Sequence, residues 1–175
     1  MMKEGFLPYD LPILGLLPGT HTYEFQMDQD FFNLFEKSLV EEGKFNVDLV
    51  LEKKTDMILL DFTFQGTVNA SCDRCLAPIQ LPVEGSHQLI LKYGQAKEED
   101  EDVVFIERDQ DHYNVAEFIH EIIELGLPIS NTYDCRSEKI RPCDESVLKV
   151  LEEQQTKEMK DENPLWDSLK NININ

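Results

Sequence analysis

The pair Cys72 and Cys75, in the segment Ser-Cys-Asp-Arg-Cys-Leu, is the feature whose residue types and spacing most clearly suggest chemistry. Two thiols at this spacing on a turn can hold one metal ion together or form a disulfide with each other. Strand-like sequence flanks the turn, from Met57 to Val68 before it and from Ile79 to Tyr93 after it. We therefore predict that the two cysteines lie at the tip of a long β-hairpin.

Two more cysteines, Cys135 and Cys143, could complete a metal site with this pair. Thiolates are soft ligands that suit zinc, and structural zinc sites are closed tetrahedra. We therefore predict a structural zinc with the four cysteines as its ligands. Seven residues separate the second pair, and this wide spacing leaves open the alternative that the thiols bind no metal. Redox catalysis is disfavoured because the first pair precedes a strand, not a helix whose N-terminus would lower a thiol pKa.

Basic residues gather within the two cysteine segments, although the chain as a whole is acidic. If the segments converge, they form a small basic surface that could contact RNA phosphates through bidentate arginine hydrogen bonds. An equally open alternative is that neighbouring aspartates neutralise these charges. The predicted RNA-binding residues are Arg74, Arg136, Lys139 and Arg141, and the neighbouring aspartates are Asp73, Asp134 and Asp144.

The net charge of the 175-residue chain is −19, from 35 acidic and 16 basic side chains. Binding of nucleic acid depends on neutralised phosphates, so this overall charge opposes RNA and favours a basic protein as the direct partner. The apolar stretch from Leu11 to Leu17 is too short to span a membrane and lacks the layout of a signal peptide. We expect a cytoplasmic protein whose partners include neither a membrane nor a small-molecule substrate. Thiols are kept reduced in the cytoplasm, which favours metal ligands or free thiols over structural disulfides.

Hydrophobic periodicity predicts the elements that position these residues. Alternating apolar residues from Lys44 to Lys53, and again up to Val68, indicate two antiparallel strands with one buried face. A helix that begins near Asn114 has a strong apolar face, which should pack on the sheet. We predict an α+β fold: a curved, mainly antiparallel β-sheet or partial barrel covered by this helix, with a polar C-terminal helical extension. The predicted organisation is an extended N-terminal segment at 1–19, the α+β domain at 20–151, and a polar linker with a C-terminal Leu/Trp segment at 152–175.

Two helical segments carry further expectations. Asp28 can cap a helix that runs to about Val40. In the later helix, His120, Glu121 and Glu124 superficially resemble a zinc-hydrolase motif, but the second histidine is missing. Because these three residues fall away from the apolar face, we expect them to form a solvated helix surface.

An apolar cluster follows a nearly pure polar linker near the C-terminal end of the chain. It consists of Leu165, Trp166 and Leu169. Because the residues before it have almost nothing to bury, we expect the cluster to be a docking element or a hook that binds a partner protein.

Three segments resemble signatures of the YceD-like family, the large ribosomal RNA subunit accumulation proteins. The first is Gly66-Thr-Val-Asn-Ala-Ser-Cys-Asp-Arg-Cys-Leu-Ala-Pro-Ile, which is similar to a family strand that leads into Cys-x-Arg-Cys-Leu. Leu125-Gly-Leu-Pro is similar to the family's exit from a central helix, and Asn163-Pro-Leu-Trp-Asp-Ser-Leu-Lys to its C-terminal signature. In order and spacing the matches cover roughly Phe45 to Lys170. Many members carry a second Cys-x-x-Cys pair, and this chain departs from that pattern.

The resemblance implies a non-catalytic role in the accumulation of large-subunit (23S) ribosomal RNA, and hence in ribosome assembly. Together with the acidic composition, it suggests an adaptor for a basic large-subunit ribosomal protein, for an rRNA precursor, or for both. Two alternatives stay open. One is a thiol-redox enzyme that uses Cys72 and Cys75, and the other is a zinc-stabilised interaction module unrelated to ribosomes.

Overall fold

The structure is a computed structural model, and it describes residues 4–94, 102–132 and 142–158. The chain divides into two compact units, Met1–Ala70 with Gln80–Ser130 and Ser71–Ile79 with Asn131–Asn175. The three-part organisation expected from the sequence stays a prediction. The predicted site residues that lie outside the described ranges are Cys135, Arg136, Lys139, Arg141, Leu165, Trp166 and Leu169.

The described residues form one 3-10 helix, seven strands and three α-helices. In chain order they are the 3-10 helix Glu4–Tyr9, β1 Asp10–Leu11, β2 Gly19–Met27, α1 Gln29–Phe32, β3 Glu42–Lys53, β4 Met57–Ser71, β5 Pro78–Tyr93, β6 Val103–Ile106, β7 Tyr113–Asn114, α2 Ala116–Leu125 and α3 Glu145–Glu158. Five strands form a sheet in the order β2-β3-β4-β5-β6, and β1 pairs with β7 separately. The pairs β2-β3 and β3-β4 are antiparallel, whereas β5 and β6 are parallel. The α+β class is confirmed, and within the described residues the sheet is open and not a closed barrel.

The alternating residues of β3 and β4 build the core of the first unit. The register places Leu51 opposite Leu60, and Leu49 opposite Phe62, so the inward side chains of the two strands meet on one face. The intervening positions such as Asp48 are exposed. This alternation confirms the prediction of two half-buried antiparallel strands. The buried side chains of β3 are Phe45, Val47, Leu49 and Leu51.

Helix α2 covers the buried face of this sheet, as predicted. Its apolar stripe includes Ile119, Ile122 and Ile123, all of which are buried. The ring of Phe118 lies 5.1 Å from that of Phe62 in β4, measured between centroids. Helix and sheet therefore share one hydrophobic core.

The helix that follows Asp28 is much shorter than predicted. Asp28 does cap it, since its carboxylate accepts a hydrogen bond from Asp30 N–H at 3.0 Å. However, α1 ends at Phe32 and does not reach Val40. The two phenylalanines of this single turn are already buried, and the residues that follow contact α2 instead of extending the helix.

The expected solvated surface on α2 is wrong for two of its three residues. The His120 and Glu124 side chains are only 12% and 21% exposed, whereas Glu121 is exposed. The ring of Phe35 stacks on that of His120 and covers it. Leu39 N–H donates a hydrogen bond to Glu124 Oε1 at 2.6 Å. Long-range contacts from the segment after α1 thus bury residues that helical periodicity assigned to solvent.

The sequence suggested an extended N-terminal segment, but the described part of this segment is not extended throughout. It begins with the 3-10 helix and continues through β1 into a loop that a single lysine holds. The Nζ of Lys53 donates to the carbonyl oxygens of Ile13, Leu14 and Leu16, at 2.8, 3.1 and 2.9 Å. The charge of an ammonium group strengthens such hydrogen bonds, so the last residue of β3 anchors this loop.

Candidate functional site at the hairpin tip

The predicted cysteine turn lies between the end of β4 at Ser71 and the start of β5 at Pro78. Two backbone hydrogen bonds close it: Cys72 N–H donates to Ala77 O at 2.9 Å, and Leu76 N–H donates to Cys72 O at 2.8 Å. The prediction that the pair lies at the tip of a β-hairpin is confirmed.

Leu76 has an unusual backbone conformation immediately after the second cysteine. Its φ angle is 59°, in the left-handed region that residues other than glycine rarely adopt. For an L-amino acid this conformation costs roughly 1–2 kcal/mol. The side chain is 74% exposed, so burial of the leucine does not offset that cost. The geometry of the turn, which turns the chain back directly after Cys75, imposes the strain.

The thiols of the turn are buried. Cys72 is 0% exposed and Cys75 is 1% exposed. Cys143, predicted as a third ligand, is also buried and is disulfide-bonded in this structure. A disulfide sulfur is not a thiolate, so a four-thiolate zinc site requires the reduced form of Cys143. Within the described residues, which do not include Cys135, no group of three or more His, Cys, Asp and Glu side chains could hold a metal.

Asp73 joins the cysteine turn to the segment that begins at Asn131. Its backbone N–H donates to Asn131 O at 2.8 Å, and its carboxylate accepts from Asn131 N–H at 2.7 Å. In sequence, Asn131 lies just before Cys135. The pair of hydrogen bonds therefore ties the first cysteine segment to the start of the second.

Arg74 is exposed at the tip and makes no ion pair in the part of the chain that the structure describes. Asp144, one of the aspartates that could have neutralised the basic residues, instead caps α3. It accepts hydrogen bonds from the hydroxyl and the N–H of Ser146 and from Val147 N–H, and these lower the pKa of its carboxyl. The described contacts thus leave Arg74 accessible to a ligand. The three other predicted basic residues lie outside the described ranges.

An acidic cavity in the first unit is a feature that sequence reasoning missed. It has a volume of about 620 Å³ and is open to solvent. Its wall combines the start of α1, the start of β3 and the exposed ends of β4 and β5, so no single segment reveals it. Lys44 is the one basic residue of the lining. The acidic residues of the lining are Asp28, Asp30, Glu41 and Glu42.

Comparison with known proteins identifies one family. A family model described as "Large ribosomal RNA subunit accumulation protein YceD" matches residues 60–173, which include the cysteine turn and α2. The chain has no significant match among curated proteins or among solved structures. None of the described helices has both the length and the apolar sequence needed to cross a bilayer.

Proposed function

The chain belongs to the YceD family of large ribosomal RNA subunit accumulation proteins, and on this premise we propose that it is a non-catalytic factor in assembly of the large ribosomal subunit. The family match, which spans residues 60–173, is the observation that carries the proposal. The proposed function includes a cytoplasmic location, because thiols are kept reduced in that compartment and assembly intermediates are found there.

The direct partner under this proposal is a basic large-subunit ribosomal protein. The net charge of −19 favours association with a cationic protein and opposes bulk attraction to RNA. The acidic cavity at the start of α1 supports the same partner, because four carboxylates and one lysine line it. An acidic adaptor of this kind would keep a basic protein from binding RNA non-specifically before it is delivered.

Contacts with the rRNA precursor would be few and local. Arg74 is exposed and is not committed to an ion pair with described residues, so its guanidinium could donate to phosphate oxygens. The same role is proposed for Arg136, Lys139 and Arg141, which lie inside the second cysteine segment. The apolar cluster Leu165, Trp166 and Leu169 is proposed as a second point of contact with a protein partner.

A structural zinc is part of the proposal. Cys72, Cys75, Cys135 and Cys143 would hold the ion, which would cross-link the two cysteine segments. Two buried thiols on one tight turn suit half of such a site. The disulfide at Cys143 would have to be reduced first, so that oxidation and zinc binding exclude each other.

Depletion of the protein from its host cell tests the assembly role. We expect large-subunit rRNA to fall relative to small-subunit rRNA, and the protein to co-migrate with large-subunit precursors in a sucrose gradient. The small-subunit rRNA is the internal control. Unchanged large-subunit rRNA together with absence from the precursor fractions would contradict the proposal.

A further inference from the structure

Strand β2 forms an open edge of the main sheet. It pairs with β3 over its whole length of nine residues, from Gly19 opposite Lys53 to Met27 opposite Phe45. In an antiparallel strand, alternate residues direct their N–H and C=O groups to opposite sides. Among the backbone hydrogen bonds of the described residues, none joins β2 to any strand except β3. With respect to the described residues, every second residue of β2 therefore presents an unpaired donor and acceptor outward.

Apart from the charge of Glu24, this edge lacks the features that usually protect an exposed strand. Natural edges are short, or they carry charged side chains (most often lysine), proline or a β-bulge. The sequence of β2, Gly-Thr-His-Thr-Tyr-Glu-Phe-Gln-Met, contains neither proline nor lysine. Its register with β3 is continuous, and its nine residues exceed the typical strand length of about 5–6. An edge of this kind is suited to accept another strand.

The two faces of β2 differ in chemistry. On the solvent face, Glu24 lies directly opposite Asp48 of β3, and both side chains are exposed. Like charges at directly opposed positions destabilise a sheet, so a cation beside Glu24 would relieve this repulsion. On the other face, the rings of Tyr23 and Phe25 are half-buried and stacked, with centroids 6.4 Å apart. They leave apolar surface for a neighbouring side chain.

We propose that β2 binds an extended basic peptide as an additional strand of the sheet. Backbone hydrogen bonds to the open edge supply the pairing. Alternation along the peptide then places cationic side chains beside Glu24, on the face that also carries Asp48 of β3, and apolar side chains beside Tyr23 and Phe25. That the peptide comes from a basic ribosomal protein rests on the proposed function. The edge itself lies before residues 60–173, outside the family match.

Charge disfavours a second copy of the chain at this edge. Two copies would bring together two bodies with a net charge of −19 each. Glu24 lies next to Tyr23, the middle residue of β2, so antiparallel pairing of two β2 strands would place the two Glu24 side chains close to each other. A cationic peptide has neither disadvantage.

The test uses the full-length protein and a fluorescent peptide of alternating lysine and valine, nine residues long to match β2. Fluorescence anisotropy should show binding by the parent protein. A control peptide of the same sequence, with every backbone nitrogen methylated, keeps the charge but cannot donate a backbone hydrogen bond along either edge, and its binding should be lost. Hydrogen exchange should show that binding of the unmethylated peptide protects backbone amides in Gly19–Met27.

Charge variants separate the edge from the general acidity of the protein. Glu24→Lys should weaken peptide binding about fivefold, the upper range for one cross-strand charge pair. Glu121→Lys makes the same change of charge on the exposed surface of α2 and should leave binding unaltered. Glu24→Gln provides a milder variant should the reversal fail to fold.

Three results would overturn the inference. They are equal binding of the N-methylated peptide, equal weakening by the two charge reversals, and failure of the parent protein to bind the peptide. Self-association through β2 in sedimentation experiments would overturn the choice of occupant. Each of these results leaves the assembly proposal intact, because that proposal depends on rRNA levels and precursor co-migration.

Discussion

The ring of His120 stacks on that of Phe35, with centroids 3.9 Å apart and planes 18° from parallel. His120 Nε2 also lies 3.2 Å from Glu124 Oε1, close enough for an ion pair, although the buried nitrogen lacks hydrogen-bond geometry. The same carboxylate oxygen accepts Leu39 N–H. Helix α2 thus fixes the segment after α1 at two points: the imidazole of His120 stacks on Phe35, and the carboxylate of Glu124 accepts Leu39 N–H.

This arrangement predicts a pH-dependent stability. Burial lowers the pKa of His120, and the Coulombic effects of Glu124 and Glu121 offset only part of that decrease. Between the lowered folded-state pKa and the unfolded value of about 6.5, the unfolded chain binds more protons, so stability falls as the pH falls through this window. His120→Gln should reduce the loss of stability between about pH 7 and about pH 5.5, measured as the urea midpoint. His87→Gln, at an exposed position, is the control, and equal pH dependence in both variants would contradict the prediction.

The three hydrogen bonds of Lys53 predict that this side chain contributes to the stability of the protein by holding the N-terminal loop. Lys53→Met removes the donor for the carbonyls of Ile13, Leu14 and Leu16 and should lower the free energy of unfolding by about 1–3 kcal/mol. The control is Lys54→Met. Among the described residues, the Lys54 ammonium pairs only with Glu52, at 3.2 Å on the exposed surface, so its loss should cost about 0–1 kcal/mol. Urea denaturation measures both, and similar losses would show that the three carbonyl contacts contribute little.

Relief of backbone strain at Leu76 should stabilise the cysteine turn. Leu76→Gly removes the Cβ that makes a φ of 59° unfavourable, and the midpoint of denaturation should rise by the equivalent of about 1 kcal/mol. Leu76→Ala keeps the strain and removes the exposed side chain, so it should leave stability nearly unchanged. A loss of stability in the glycine variant would mean that the leucine side chain packs against the fold.

The zinc proposal predicts near-stoichiometric zinc in protein purified with reductant and without chelator. Cys72→Ser and Cys143→Ser should each release the metal and lower thermal stability together, because metal binding is coupled to folding. Ser71→Ala, next to the first ligand and exposed, serves as the control. Elemental analysis without zinc, combined with unchanged stability of both cysteine variants, would refute the proposal.

Arg74 should contribute to RNA association but not to binding of a basic protein. Arg74→Glu is expected to weaken retention of large-subunit precursor RNA, with a shallow salt dependence because each neutralised phosphate adds only about 0.7–0.9 to the log–log slope. Arg108→Glu is the matched control, since Arg108 is exposed and already lies 5.3 Å from the Tyr93 ring centroid. Filter-binding assays at several salt concentrations measure the effect. Equal weakening in both variants would indicate non-specific attraction.

The sequence by itself determined features that depend on near neighbours in the chain. The alternation from Phe45 to Leu51 identified β3 and its buried face, because successive side chains of a strand must point to opposite sides. The position of Cys72 and Cys75 between two strand-like runs likewise predicted the hairpin tip. The signature around this pair indicated the family that the match over residues 60–173 confirms.

The tertiary structure decided the features that depend on residues far apart in sequence. The helix after Asp28 stops at Phe32 and its following segment is fixed by His120 and Glu124, contacts that no local period reveals. Nothing in the sequence of β2 indicates that this strand lies at the open edge of the sheet. Helical and strand periods follow from the backbone conformation of consecutive residues. Strand order and the burial of a polar side chain depend instead on which distant segments the chain brings together.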